Sequence, residues 1–472
     1  MPHRLARAVL TCALAGGVSL AASVAGAADC TRPTDPGGSG GYDYGAATVS
    51  SFGNDRVLVW YVTQGAHAVS TDTTRADGVP DEVALVADVT SDALTRYAGM
   101  GFRPPIADDL APDCGSNGGD ARLDVYLVNM SGADGQTAPE LGRCVSDSPQ
   151  QCSSFLFAKT KLGDYYGSLD AGVRTVLPHE TFHAVQNAYD VNLDRFWAEG
   201  SAQWAAKTLD PELTDLERNL PAFFSQTARS LDGPVTGVSA GFLYGSAVWP
   251  VFLSERYGED IVRSILEQEG KQESSALAAA DSVLTTLQSS VAVEYPLFMA
   301  WNSATGTRTG TGGYMNAAAY PLVKVSELDP SGSKAITSGY ASYFYHAETT
   351  RPMEIALDTD ETRNAGLFVP FEGGLPRIDR VTPLPAELDG EGIVVVSGIT
   401  SKRTDAPFTV SLVSPAAVPG GSSGCAFAGL ASPSRSGRAV ILLGFAGFLQ
   451  RRRRRAQGGG MGVVRSWGKS RG

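Results

Sequence analysis

Apolar positions fall into three regimes along the chain. In the first, "RVLVWYVT" (56–63), "ARLDVYLVNM" (121–130) and "SSFLFAKT" (153–160) are short runs rich in β-branched and aromatic residues, and they predict strands. Between them, "PDEVALVADVTSDALTRYAGMG" (80–101) repeats its apolar residues near the helical period. It opens behind Pro80 and closes on Gly99 and Gly101, so it predicts a helix. From about 171 to 310 helical spacing prevails throughout. From about 335 the pattern changes to short β runs: "GYASYFYHAE", "RPMEIALD", "AGLFVPFE", "GIVVVSGIT" and "FTVSLVSP". The expected fold class is therefore α+β, with a mixed domain over 55–330 and a small β-sandwich over 331–415. Residues 28–54, rich in Gly, Pro, Ser and Asp, read as a leader or linker.

The two ends carry a different kind of pattern. Arg4 and Arg7 precede an apolar run from Ala8, and Ala25-Gly26-Ala27 has the small-x-small form of a cleavage site. Residues 1–27 thus predict a secretory signal peptide and export of the chain. At the other end, 416–472 holds "GGSSGCAFAG", an apolar stretch from Ala439 to Leu449 and an arginine run from Arg451 to Arg455. That stretch is short for a spanning helix, which needs about 20 residues. The combination resembles the MYXO-CTERM sorting tails of myxobacterial surface proteins, and implies an extracellular or cell-surface location with membrane contact only through the tail.

Setting the ends aside changes the charge. The chain as a whole carries −12, but the part between the signal region and Gly421 keeps 26 basic against 50 acidic residues, a balance of −24. So acidic a body excludes nucleic acid and anionic membrane as its partners. Cys30, Cys114, Cys144 and Cys152 form an even set suited to an oxidising compartment. The pairing expected is Cys144 with Cys152 and Cys30 with Cys114.

Candidate chemistry concentrates in "LPHETFHAVQ" (177–186). On a helix, residues four apart share a face, so His179 and His183 can grip one metal ion, with Glu180 beside it to accept a proton from water. Five histidines in 472 residues make this coincidence uncommon by chance. A catalytic zinc ion takes three protein ligands and leaves a position open. The long form of the motif would need glycine at 186 and histidine at 189, where this chain has Gln186 and Tyr189. The third ligand expected is Glu199 in "RFWAEGSAQWAAKTL" (195–209), carried back by a turn at "YDVNLD" (189–194). Gly200, Ser201 and Ala202 would let two helices approach closely, with Trp197 and Trp204 packing the flanks.

These stretches, "HETFHAVQNAYD" and "FWAEGSAQW", resemble the gluzincin metallopeptidases. The order of "DGVPDEV", "GFRPP", "ARLDVYLV", the histidine motif, "EGSAQW" and "YGSAVWPVFLSERYG" over roughly 55–270 is similar to secreted metalloproteases of myxobacteria and related bacteria. The resemblance implies an N-terminal sheet, a zinc-binding helix and a helical lower half. It also implies zinc held by His179, His183 and Glu199, and Glu180 as the catalytic base of an endopeptidase acting on proteins or peptides. Pro178 departs from helix continuity directly before His179, so the helix either starts late or is kinked there.

An oxyanion donor is also needed. Tyr244 is the first candidate, ahead of Tyr189 and Tyr257. Asn187 is a candidate partner of a ligand, whereas His67 and His346 read as structural. "TDTTRADGVPDEV" (71–83) lacks the alternate carboxylates of a calcium loop and reads as a polar turn. Two other readings stay open: a zinc-bearing surface binding module or adhesin, and a zinc hydrolase of another class, such as an aminopeptidase or glycan-modifying enzyme.

Overall fold

The computed structural model describes residues 30–110, 118–234, 237 and 239–415. The expected signal peptide, the C-terminal tail and Cys114 lie outside the described residues. The described residues form one compact unit. It is a mixed α+β structure with two sheets. The change of pattern near 330 is a change of secondary structure within that unit.

The first sheet comprises β1 (Val49–Gly53), β2 (Val57–Val62), β3 (Leu123–Val128), β4 (Gly135–Asp147) and β5 (Gln150–Lys159), in the order β1-β2-β3-β5-β4. The inner pairs β2–β3 and β3–β5 are parallel, and the outer strands run antiparallel to their neighbours. The disulfide Cys144–Cys152 ties β4 to β5. Cys30 is also disulfide-bonded.

Both faces of this sheet are buried, as parallel strands require. Val125 and Leu127 of β3 face the helices α1 (Asp81–Gly99) and α3 (Leu169–Asn187). Tyr126 and Val128 point the other way, into a smaller core completed by Tyr44. Residues 30–48 therefore are not a linker. They pack on the outer face of the sheet, with the Tyr44 hydroxyl 3.0 Å from the carbonyls of both Trp60 and Leu127 and its one proton shared between them. Arg32, at 0% exposure, is ion-paired with Asp108, Asp124 and Glu140. Composition reported the turns of this segment but not its two anchors.

After the short α2 (Gly163–Tyr166) and α3 come α4 (Arg195–Leu209), α5 (Asp215–Phe224), α6 (Ala240–Gly245), α7 (Val248–Tyr257), α8 (Asp260–Glu269), α9 (Ala276–Thr286) and α10 (Val291–Ser303). They enclose the largest core, built on Trp197, Trp249, Phe252 and Phe298.

The β-rich end is one eight-stranded sheet rather than the two packed sheets of a sandwich. Its members are β6 (Ser326–Glu327), β7 (Ser333–Thr337), β8 (Ser342–Thr359), β9 (Asn364–Glu372), β10 (Leu375–Pro376), β11 (Thr382–Pro383), β12 (Ala386–Gly398) and β13 (Ala406–Val413). Two runs that look separate in sequence, 339–348 and 351–358, join into the single 18-residue β8. Its first part pairs with β12, and its last part with β13. Strand alternation divides the apolar residues between two cores. Phe344, Val369, Ile393 and Val395 join the helical core, while Tyr345, Phe368, Val394 and Val396 form a core of their own.

Candidate metal centre

The first two candidate ligands sit in the middle of α3. The Ser168 hydroxyl caps the helix, accepting from the Ala171 N–H at 3.1 Å. The helix then runs through Pro178, so it does not start late. Proline there leaves the Arg174 carbonyl without its helical donor, and Arg174 is exposed to water. The Pro178 carbonyl accepts from the Tyr97 hydroxyl at 2.9 Å, which fastens this turn to α1.

The turn at 188–194 returns the chain, and α4 brings Glu199 to the same point. His179 Nε2 and His183 Nε2 lie 3.0 Å apart, and Glu199 Oε2 lies 3.3 and 3.4 Å from them. Four donors around zinc at arms of about 2.0–2.1 Å stand about 3.3–3.4 Å from one another, so this spacing fits a tetrahedral ion. Among the described residues, this trio is the only group of three or more His, Cys, Asp or Glu side chains close enough to hold a metal ion. The three side chains are 10%, 17% and 14% exposed, so the site is recessed but open to solvent. The other Glu199 oxygen, Oε1, accepts from Arg195 at 3.3 Å, one helical turn earlier.

The charges within the trio are mutually dependent. Burial disfavours the charged form of His183, but Glu199 and Glu180 overcome it and raise the imidazole to about 9. Burial likewise opposes ionisation of Glu199, and the two imidazoles outweigh it, holding the carboxyl well below its usual range. Protonated His183 and ionised Glu199 thus favour one another. A divalent cation would replace the His183 proton.

Gln186, which sequence reasoning missed, fixes the orientation of His183. Its Nε2 donates to the Ala198 carbonyl at 2.9 Å and to the Ser201 hydroxyl at 2.8 Å. Its Oε1 therefore faces His183 Nδ1, at 2.7 Å, and accepts from it. In the neutral imidazole that leaves Nε2 bare and aimed at the metal position. Position i+3 from a candidate ligand was the one available signal. Asn187 does not play this part, since its amide donates to Ser154 at 2.8 Å.

The small residues of α4 divide their work. Ser201 faces α3 through Gln186, while Gly200 faces the start of α7. A Cβ at Gly200 would stand 2.7 Å from the Ser246 hydroxyl. Trp197 and Trp204 do pack the flanks, donating to Glu269 at 3.0 Å and Ser254 at 3.1 Å.

Of the three candidate tyrosines, only Tyr244 is at the site. Its ring stands edge-on to His179 with centroids 5.5 Å apart. Burial, then Glu199 and Glu180, push its hydroxyl far above the ordinary range, so it stays a donor at every working pH. Tyr189 accepts from the Arg103 N–H at 2.9 Å, and Tyr257 donates to Glu294 at 2.5 Å, so both are held elsewhere. His67 Nδ1 accepts from the Asn129 N–H and His346 pairs with Glu327, both structural roles. In the 71–83 loop, Asp81 accepts from the Thr74 N–H and Asp77 pairs with Arg75, so these carboxylates bind within the turn.

Glu180 sits beside the trio. The Thr137 hydroxyl of β4 approaches its Oε2 at 2.9 Å and its backbone carbonyl at 2.7 Å.

A scan against protein-family models finds no match for this chain, and a search of curated proteins finds none either.

Proposed function

We propose that the protein is an exported zinc-dependent endopeptidase. The observation that carries this reading is the convergence of His179 Nε2, His183 Nε2 and Glu199 Oε2 within 3.4 Å, with a further carboxylate, Glu180, next to them. Two imidazoles and one carboxylate are a donor set suited to catalytic zinc, with a fourth position left for water or substrate. Zinc held there supplies Lewis acidity and lowers the pKa of bound water to about 7.

The chain's own residues do the rest. Glu180 accepts the proton of the attacking water and hands it to the leaving amine. Tyr244 donates its hydroxyl to the oxygen that gains charge as the carbonyl is attacked. β4 is the last strand of its sheet, paired on one side only among the described residues. An extended peptide can add to such an edge and lie across Glu180. That supports cleavage within a chain over removal of a terminal residue. The signal-like N-terminus and the disulfide support an extracellular place of work.

The test is cleavage of an unfolded protein by the purified enzyme, before and after chelation. The reading expects loss of cleavage on chelation and recovery with one equivalent of zinc per chain. Zinc bound at that stoichiometry without any cleavage would replace it with a binding-module role.

A further inference from the structure

The general base of a hydrolytic site must be held, not only present. A glutamate has three side-chain torsions, and its carboxylate samples many positions unless something fixes it. In this protein the restraint comes from outside the helix that carries Glu180. It comes from β4, a strand whose sequence, "GQTAPELGRCVSD", has no clear alternation and gave no sign of its place beside the site.

Two residues of β4 meet Glu180. Thr137 Oγ1 is 2.9 Å from Glu180 Oε2 and 2.7 Å from the Glu180 backbone oxygen. A hydroxyl has one proton, so it is shared between the two acceptors or alternates between them. Gly135 is two positions earlier, on the same face of the strand. A Cβ there would stand 2.6 Å from Glu180 Cγ, 2.9 Å from Glu180 Oε1 and 2.7 Å from Val176 Cγ1. Distances so short require the glutamate to move. The carboxylate thus has one oxygen tied to Thr137 and the other lying over the space that Gly135 leaves.

We propose that β4 forms the seat of the general base, with Thr137 as a positioning residue that ties down one Glu180 oxygen and Gly135 as the gap that admits the other. This rests on the peptidase reading above. Peptide pairing with β4 then places the scissile bond and the base on one rigid frame, because the same strand orders both. The seat also separates two duties. Oε2 is the oxygen held beside Thr137, and Oε1 is the oxygen left to exchange the proton.

Two measurements test it, one without turnover. In the metal-free protein, the loss of Tm caused by Thr137→Val is compared in the wild-type and Glu180→Ala backgrounds. The Glu180 backbone oxygen is present in both backgrounds, so loss of the hydroxyl's contact with it is common to both, and a difference reports the contact with the Glu180 side chain. The seat expects a smaller loss in the Glu180→Ala background. Equal losses would mean that Thr137 serves only the backbone and would overturn the proposal.

In the zinc-loaded enzyme, Thr137→Val is expected to lower kcat by about 10- to 100-fold, the worth of one hydrogen bond to a charged group, with KM unchanged. Thr137→Ser should restore kcat to within about threefold, since it keeps the hydroxyl. Gly135→Ala should lower kcat with zinc content unchanged. Full activity of Thr137→Val, or failure of Thr137→Ser to recover, would overturn the seat while leaving the peptidase reading intact. A wild-type enzyme without cleavage would instead defeat that reading, and the Tm comparison would still decide whether Thr137 holds Glu180.

Discussion

Gln186 holds His183 from behind: its carbonyl oxygen accepts from Nδ1 at 2.7 Å, and its amide nitrogen is committed to α4 through Ala198 and Ser201. One buried side chain thereby sets the tautomer of one candidate ligand and the docking of the helix that carries another. Gln186→Leu is expected to weaken zinc binding by about 10- to 100-fold, the usual effect of losing such a partner. It should also destabilise the fold by about 1–3 kcal/mol, because the Ala198 and Ser201 groups lose their buried donor. Competition with a chromophoric chelator and denaturant titration measure the two effects separately.

On the proposed reading, a proton and a metal ion would compete for His183. In the metal-free protein its imidazole is raised to about 9, so at neutral pH it is protonated and a metal ion must displace that proton. Apparent zinc affinity should therefore rise about tenfold per pH unit as pH increases toward about 9, then level off. Stability of the metal-free fold moves in the opposite direction with pH. The contribution of protonated His183 is present below the ordinary histidine pKa and is lost as pH rises through about 9. A pH series of zinc titrations checks the slope.

Tyr244 stands against His179, with its hydroxyl protonated throughout the working range. Tyr244→Phe is expected to lower kcat by about 100- to 1,000-fold while zinc content stays unchanged. Steady-state kinetics with metal analysis would show this, and an unchanged kcat would remove Tyr244 from the mechanism.

The buried cluster around Arg32 makes a stability prediction. Burial outweighs the attraction of Arg32 and pushes Asp124 up to about 7 and Asp108 up to about 6. Folded protein therefore holds protons that the unfolded chain, with ordinary aspartates, gives up near pH 4. Stability should fall as pH rises from about 4 to about 7, and Asp124→Asn should flatten that slope. Arg32→Met, which removes the cation shared by Asp108, Asp124 and Glu140 and leaves Arg143 beside Glu140, should cost about 3–5 kcal/mol. Chemical denaturation across that pH range distinguishes the two variants.

How far these features were legible in the sequence depended on where each residue's signal came from. Strands β2, β3 and β5 and helix α1 carry their own apolar pattern, because each buries a continuous face, and their positions follow from it. His179, His183 and Glu199 were legible as a candidate trio because a metal-ligand pattern constrains residue type as well as spacing. The edge strands β1 and β4 were not, since half-exposed positions dilute the alternation that marks a strand. Thr137 and Gly135 were hidden with β4. Arg32 looked like part of a polar leader because nothing local signals a partner 76 to 108 residues away. The eight-stranded sheet at the C-terminal end was read as two layers because its long strands serve two sets of neighbours.

The central claim is that His179, His183 and Glu199 hold zinc and Glu180 works on water beside it. The most direct measurement is zinc per chain together with cleavage of an unfolded protein, for wild type, Glu180→Gln and Glu199→Ala. The account predicts one zinc and cleavage in wild type, one zinc without cleavage in Glu180→Gln, and loss of both in Glu199→Ala. Undiminished cleavage by Glu180→Gln, or full zinc retention by Glu199→Ala, would contradict it.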